Sequence, residues 1–193
     1  MTAGQFFFKY RSYTPLPFVI PLLLYSRPTL LTLIIGFVIA MGGELLRFWG
    51  VSYAGGETRT RKVGAGNLVT QGPFAYTRNP LYTGNILIYF GISIMANSLF
   101  PYLQIIGLIY FYVQYYYIIK EEEEFLRSKY KEKYEDYFNS VNKIIPKTTP
   151  YEPEKQSKLK RNSGEAYKSE KRTFQGFSFI ILLILLIYVL ING

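Results

Sequence analysis

The chain has 193 residues, 49% of them hydrophobic and 18% aromatic, with a formal charge of +9 and neither Cys nor His. Disulfides, thiolate nucleophiles and Cys metal sites are thereby excluded, and so are the commonest general base and the commonest transition-metal ligand. Any chemistry falls to Asp, Glu, Lys, Arg, Tyr, Asn and the backbone.

Apolar residues gather in blocks at 16–25, 30–46, 81–95, 99–119 and 177–191, and nearly all charged residues lie between them. A soluble core does not require that segregation. A hydrocarbon layer roughly 30 Å thick needs about 20 helical residues, so the second, fourth and fifth blocks are predicted to span it. The third is shorter, and the first, interrupted by Pro17 and Pro21, is expected to be a tilted or half-inserted helix. The stretch Phe6-Phe7-Phe8-Lys9 lacks the apolar run and cleavage site of a signal peptide, so the chain reads as mature.

Basic residues follow a topological rule that removes the nucleic-acid reading of the charge. Lys9 and Arg11, then Arg59, Arg61, Lys62 and Arg78, then the many between Lys120 and Arg172 occupy alternate connections. Positive-inside patterning puts the N-terminus and the 50–80 and 120–173 connections in the cytoplasm, and the turns near 26–29 and 97–101 outside. The expectation is an all-α, polytopic bundle of about five membrane helices in the cell (inner) membrane, with a cytoplasmic amphipathic helix. By composition, residues 1–50 form a hairpin, 51–146 a core rich in unusual polar residues, 147–173 a mobile polar tether, and 174–193 an apolar anchor.

Within these parts, Glu44 and Arg47 lie three residues apart near the inner end of the second span, where ionisable groups are costly. A structural ion pair comes first there and a site contact second. In the loop 67–72, Leu68 and Val69 either face lipid or wall a nucleotide base, and glycine permits close backbone approach. Asn79-Pro80 reads as an N-cap followed by proline at the first helical position, opening the third span with its positive dipole end toward the cytoplasm. Arg78 beside it makes a site for a carboxylate or phosphate, or else a capped helix meeting lipid head groups.

After Ile119, the positions Leu126, Tyr130, Tyr134, Tyr137 and Val141 mark one face of an amphipathic helix continuing from the fourth span. Glu122 and Glu123 share that face, whereas Glu121 and Glu124 point elsewhere. The pair is either a solvated acidic collar or a binding feature for ribose hydroxyls or a cationic group.

In order, Gly43-Glu44-Leu45-Leu46-Arg47-Phe48-Trp49, Asn67-Leu68-Val69-Thr70-Gln71-Gly72-Pro73-Phe74, Arg78-Asn79-Pro80-Leu81-Tyr82-Thr83-Gly84, and Glu122-Glu123 with Leu126, Tyr130, Tyr134 and Tyr137 resemble the isoprenylcysteine carboxyl methyltransferase and phospholipid methyltransferase superfamily. The resemblance covers roughly residues 30–146. It implies a membrane enzyme with S-adenosylmethionine in a cytoplasmic-side pocket. Leu68, Val69 and Gly72 would lie near the adenosine, Arg78, Asn79 and Tyr82 near the methionine part, and Glu122 and Glu123 would close the pocket. Many members have His at Asn79 and Gly at Lys131, and the latter change bears on helix packing more than on chemistry.

Methyl transfer from a sulfonium needs alignment and exclusion of water above all. A carboxylate acceptor needs no base, which suits a chain without His. A phospholipid amine must lose a proton, for which Glu122 or Glu123 is available. The catalytic set is thus Glu122, Glu123 and Arg78, with Arg47 and Lys120 steering an acidic head group of a lipid or lipid-modified substrate. No metal or nucleic acid is expected. Two rivals stand beside this: an NADPH-dependent membrane reductase related to sterol reductases, using Arg59, Arg61 and Lys62 for the extra phosphate, and a non-catalytic membrane scaffold.

Overall fold

The structure is a computed structural model that describes residues 1–55, 68–152 and 161–193. All of its regular elements there are helical. They are α1 (Ala3–Tyr10), α2 (Leu16–Leu24), α3 (Leu30–Ala54), a 3-10 turn (Gly72–Ala75), α4 (Pro80–Ala96), α5 (Tyr102–Tyr130), α6 (Glu132–Ser140) and α7 (Ser163–Asn192). Helices α3, α5 and α7 are long and apolar enough to cross a membrane, and α4 is a shorter apolar helix. Arg59, Arg61, Lys62 and Asn67 lie outside the described residues.

The centre of the bundle is the α3–α4 hairpin, and glycine sets its spacing. Gly36, Gly43 and Gly50 recur every seven residues on α3 and meet Gly91, Gly84 and Leu81 of α4. A Cβ on Gly43 would stand 2.6 Å from the Gly84 carbonyl oxygen, and one on Gly84 2.7 Å from that of Gly43. Backbones this close gain dispersion contact along the whole seam, which is how helices associate where water supplies no driving force. α3 starts cleanly because Thr29 Oγ1 accepts from Thr32 N while the Thr32 hydroxyl accepts from Thr29 N. α4 stops at Asn97, whose left-handed backbone (φ 49°) turns its N–H back onto Ile94 and Ser93. Arg27 N and Ser26 Oγ both donate to Ala96 O, which ties the α2–α3 connection to the end of α4.

Helix α7 packs Phe177 and Ile184 onto Leu33, Ala40, Ile88, Ile92 and Met95 of the hairpin. α5 closes the other side through Phe111, Tyr115, Ile118 and Ile119, with Phe8 and Phe18 laid against them.

Three expectations change. Of the expected five or so membrane helices, the described residues hold three long enough to cross and one shorter apolar helix; the first apolar block, expected to be tilted or half-inserted, forms the nine residues of α2, about 13 Å of helix and too short to cross. α1 lies along α5, with Gly4 against Tyr117 and Glu121, whereas α2 meets α5 through Phe18, against Tyr110 and Phe111, and packs Leu22 toward α4, where the Leu22 carbonyl accepts from Ser98. Second, residues 163–172 of the expected tether are the opening turns of α7, whose start is held by Asn162 N donating to Ser52 O. Third, the amphipathic helix is not continuous with α5. Lys131 breaks it in a left-handed conformation, φ 48° and ψ −125°, that glycine adopts freely and an L side chain does not.

Lys131→Gly is therefore expected to stabilise the chain by about 1 kcal/mol, the relieved strain outweighing the added freedom of the unfolded chain. The thermal midpoint in detergent should rise by about 2–4 °C. A fall would show that the Lys131 side chain contributes more than its backbone costs.

Candidate active site

The end of the bundle where α4 begins is assembled around residues 68–83. Gly72 has φ 61°, and a Cβ there would collide with the Tyr53 ring at 2.5 Å, so the turn at Gly72–Ala75 needs glycine on both counts. The chain after it pairs with the strap that follows α6. Thr77 bridges Asn142, Arg78 N donates to Asn142 O at 2.9 Å, and Lys147 N and Tyr151 N donate to Tyr76 O and Ala75 O. Side chains extend the pattern: Thr77 Oγ1 to Lys143 O and Ile144 O, Asn79 Nδ2 to Lys143 O at 3.0 Å, and Thr83 Oγ1 to Ile144 O. Asn79 does occupy the N-cap and Pro80 the first helical position. Its side chain, however, serves the strap, and no side chain caps the first turn of α4.

Helix α6 presents Tyr134, Tyr137 and Val141 to Leu68, Leu126 and Tyr130, which is the apolar stripe expected from the spacing. Leu68 thus packs on protein, and Val69 beside it is half-buried. The Tyr137 hydroxyl donates to Phe74 O at 2.7 Å. Burial pushes the Tyr137 phenol well above its ordinary value, and the Tyr134 phenol likewise, so Tyr137 remains a donor at any working pH.

Arg78 sits at the hub. Its Nε and Nη2 donate to Glu123 Oε1 at 3.1 and 2.9 Å, and its Nη1 donates to the carbonyls of Phe138 and Val141. The guanidinium also lies over the Phe138 ring, 4.1 Å from its centre, with Arg127 at 4.0 Å from the same ring. Lys143 Nζ takes the other Glu123 oxygen at 3.1 Å. Arg78 therefore ties α4, α5 and α6 together from within.

Of the four carboxylates, Glu123 is buried in this hub, and Glu122 accepts from the Tyr82 hydroxyl at 2.8 Å. Glu121 accepts from Thr2 Oγ1 and Gln5 Nε2, which holds α1 against α5. Glu124 is exposed, as is Lys120.

Arg47 was expected to pair with Glu44. Its Nη2 instead donates to both oxygens of Glu170 on α7, at 3.0 and 2.9 Å, and its Nη1 to Asn85 Oδ1 at 2.6 Å. Glu44 is buried and adds its charge to the field at Arg47. With 13% of its side chain exposed, Arg47 is embedded in the bundle and not poised at its surface.

A family model described as "PEMT: Phospholipid methyltransferase" matches residues 31–133, more than half of the chain. The chain belongs to the phospholipid methyltransferase family. The segment that matches this phospholipid methyltransferase model takes in nearly all of α3, the 68–79 loop, α4, α5 and the start of α6. It contains every sequence-derived site residue and leaves α7 outside. The chain is also similar to the cobalt-zinc-cadmium resistance protein CzcN of Cupriavidus metallidurans, 28% identical over 158 residues that make up 81% of this chain and 68% of that protein. No solved structure matches.

Sequence reasoning missed Thr77, Asn85, Lys143 and Glu170. The first three are ordinary polar residues whose partners lie far away in the chain. Glu170 did carry a signal, because it shares a helical face with Ala166, Phe177 and Ile184, at spacings of four, seven and seven.

Proposed function

We propose that this protein is an S-adenosylmethionine-dependent methyltransferase acting on a lipid-borne acceptor at the inner end of the bundle. The observation that carries the reading is Glu122, held by Tyr82 at the uncapped start of α4 inside the family-matched segment. An uncapped helix N-terminus suits a carboxylate, and a part-buried Glu suits ribose hydroxyls or a cation, so the residues present fit a ligand that carries all three. The bound donor would supply an electrophilic methyl group on a sulfonium sulfur.

In this reading Leu68, Val69 and Gly72 line the adenosine side, Asn79 and Tyr82 the methionine side, and Glu122 and Glu123 close the pocket. Arg78, with its donors directed to Glu123 and two carbonyls, acts by keeping α6 and the strap in place. Exposed Lys120 meets the acceptor's acidic head group at the membrane level. A carboxylate acceptor needs no base, whereas for a phospholipid amine, the class the family's name brings forward, Glu122 takes the proton. The alternation of basic connections supports a cytoplasmic position for this end.

Titration of the detergent-purified chain with S-adenosylmethionine by calorimetry should give saturable binding. Tyr82→Phe and Glu122→Gln should each weaken it about tenfold, the loss expected for one hydrogen bond to a charged group. No saturable binding to folded wild-type protein would overturn the proposal.

A further inference from the structure

One carboxylate, Glu123, faces two cations. Arg78 Nη2 lies 2.9 Å from its Oε1 and Lys143 Nζ 3.1 Å from its Oε2, so the cluster keeps a surplus positive charge. Arg78 is buried and directs its donors to Glu123, Phe138 O and Val141 O. Lys143 is different, because its side chain is 34% exposed and an ammonium has donors beyond the one that Glu123 takes. Its Nζ stands 5.5 Å from the centre of the Tyr116 ring, within cation–π range. Tyr116 is exposed on α5, and exposed Lys120 follows it by one turn, three residues before Glu123. Lys120 thus lies on the helix surface between the two residues that Lys143 touches, which makes the two ammonium groups neighbours. Glu121 and Glu122 are turned to α1 and to Tyr82, and among the described residues no ion pair joins Lys120 to exposed Glu124.

On the other side of Tyr116 the same face of α5 runs through Val113, Tyr112, Ile109 and Ile105, all exposed. From Ile105 to Tyr116 is about 16 Å of helix, close to one leaflet of a hydrocarbon layer roughly 30 Å thick. A strip that is apolar over a leaflet's depth and doubly cationic at its end matches one lipid standing along α5, with acyl chains on the strip and an anionic head at the ammonium groups. A phosphodiester has two unesterified oxygens and can accept from both lysines at once.

We propose that Lys120 and Lys143, with Tyr116 beside them, bind the phosphate of an anionic bilayer phospholipid. Lys143 then joins the strap after α6 to the membrane on one side and to Glu123 on the other. The site reads the phosphate and not a methyl-accepting group, so the proposal stands apart from the S-adenosylmethionine reading and is tested without that ligand.

The test follows lipid retained by the full-length, detergent-purified chain in native mass spectra, as phosphatidylglycerol, diacylglycerol with the same acyl chains, or inorganic phosphate is titrated in. Wild type should hold one phosphatidylglycerol saturably and should not retain diacylglycerol, which has the chains without the phosphate. Lys120→Gln and Lys143→Gln should each weaken retention about tenfold, the loss of one charge-assisted hydrogen bond, and the double variant should weaken it further. Lys129→Gln removes an equal charge from exposed α5 surface beyond the site, and its affinity should stay within twofold of wild type. Equal affinities in Lys120→Gln, Lys143→Gln and Lys129→Gln would overturn the proposal, because the attraction would then be diffuse. Diacylglycerol held as tightly as phosphatidylglycerol would overturn it too, since the phosphate would go unread. So would inorganic phosphate that displaces the lipid at comparable concentration, which would make this a site for a free anion. Thermal midpoints taken without lipid show which variants are folded. If Lys143→Gln is not, Lys120→Gln against Lys129→Gln decides by the same criterion.

Discussion

Alanine at Gly43 is expected to lower the unfolding midpoint by about 6–12 °C, whereas alanine at the adjacent Gly42 should leave it unchanged or raise it slightly. The two glycines share a helix and differ only in what surrounds them. A Cβ at Gly42 meets nothing within 4 Å, so the exchange gains helix propensity at no packing cost. A Cβ at Gly43 meets the Gly84 carbonyl at 2.6 Å, Leu87 Cβ at 2.8 Å and Ile88 N at 2.9 Å. Two of those atoms are backbone and cannot swing aside, so the helices must separate. Over-packing of this kind costs about 3 kcal/mol at the upper end of its usual range, which for a chain of this size gives the stated shift. Separation also stretches the 2.6 Å bond from Arg47 to Asn85 one turn further along the seam. Equal midpoints for the two variants would mean that α3 and α4 do not touch at Gly43.

The same seam shows what a sequence reveals and what it withholds. Apolar block length was sufficient to locate α3, α5 and α7, because a membrane imposes a length on any helix that crosses it. The tyrosine stripe of α6 was legible because helical period alone creates a face. Gly36, Gly43 and Gly50 were on the page at a period of seven, yet their meaning depends on Gly84 and Gly91 arriving opposite them, which is tertiary information. Lys131 was noticed as a departure from glycine, but its left-handed backbone appears only in three dimensions. Arg47 failed for a plainer reason. Glu44 is the nearest opposite charge in sequence, but the partner is a residue 123 positions away, on a helix whose composition is that of an anchor.

Glu123→Ala should cost about 3–5 kcal/mol, the loss typical of breaking a buried ion pair from one side. The magnitude comes from what is left behind. Arg78 would keep its two carbonyl acceptors, but its charge, 7% exposed, would lose the carboxylate that now takes both Nε and Nη2. Its neighbour Lys143 is 34% exposed and reaches water when released, so Lys143→Ala should cost less than about 1 kcal/mol. Arg78→Ala removes the stranded charge along with the bonds to Phe138 O and Val141 O. The double variant Glu123→Ala with Arg78→Ala should therefore be destabilised by less than the sum of the two singles, with a coupling of roughly 1–3 kcal/mol. Urea titrations of the four proteins in one detergent measure that coupling directly. Strict additivity would mean that Arg78 finds water once Glu123 is gone, and that the hub joining α4, α5 and α6 is open to solvent. A large coupling with S-adenosylmethionine affinity lost in every variant would join the two roles given to this end of the bundle: the pair holds α6 and the strap in place, and Glu122 one residue away can meet a ligand only while they stay there.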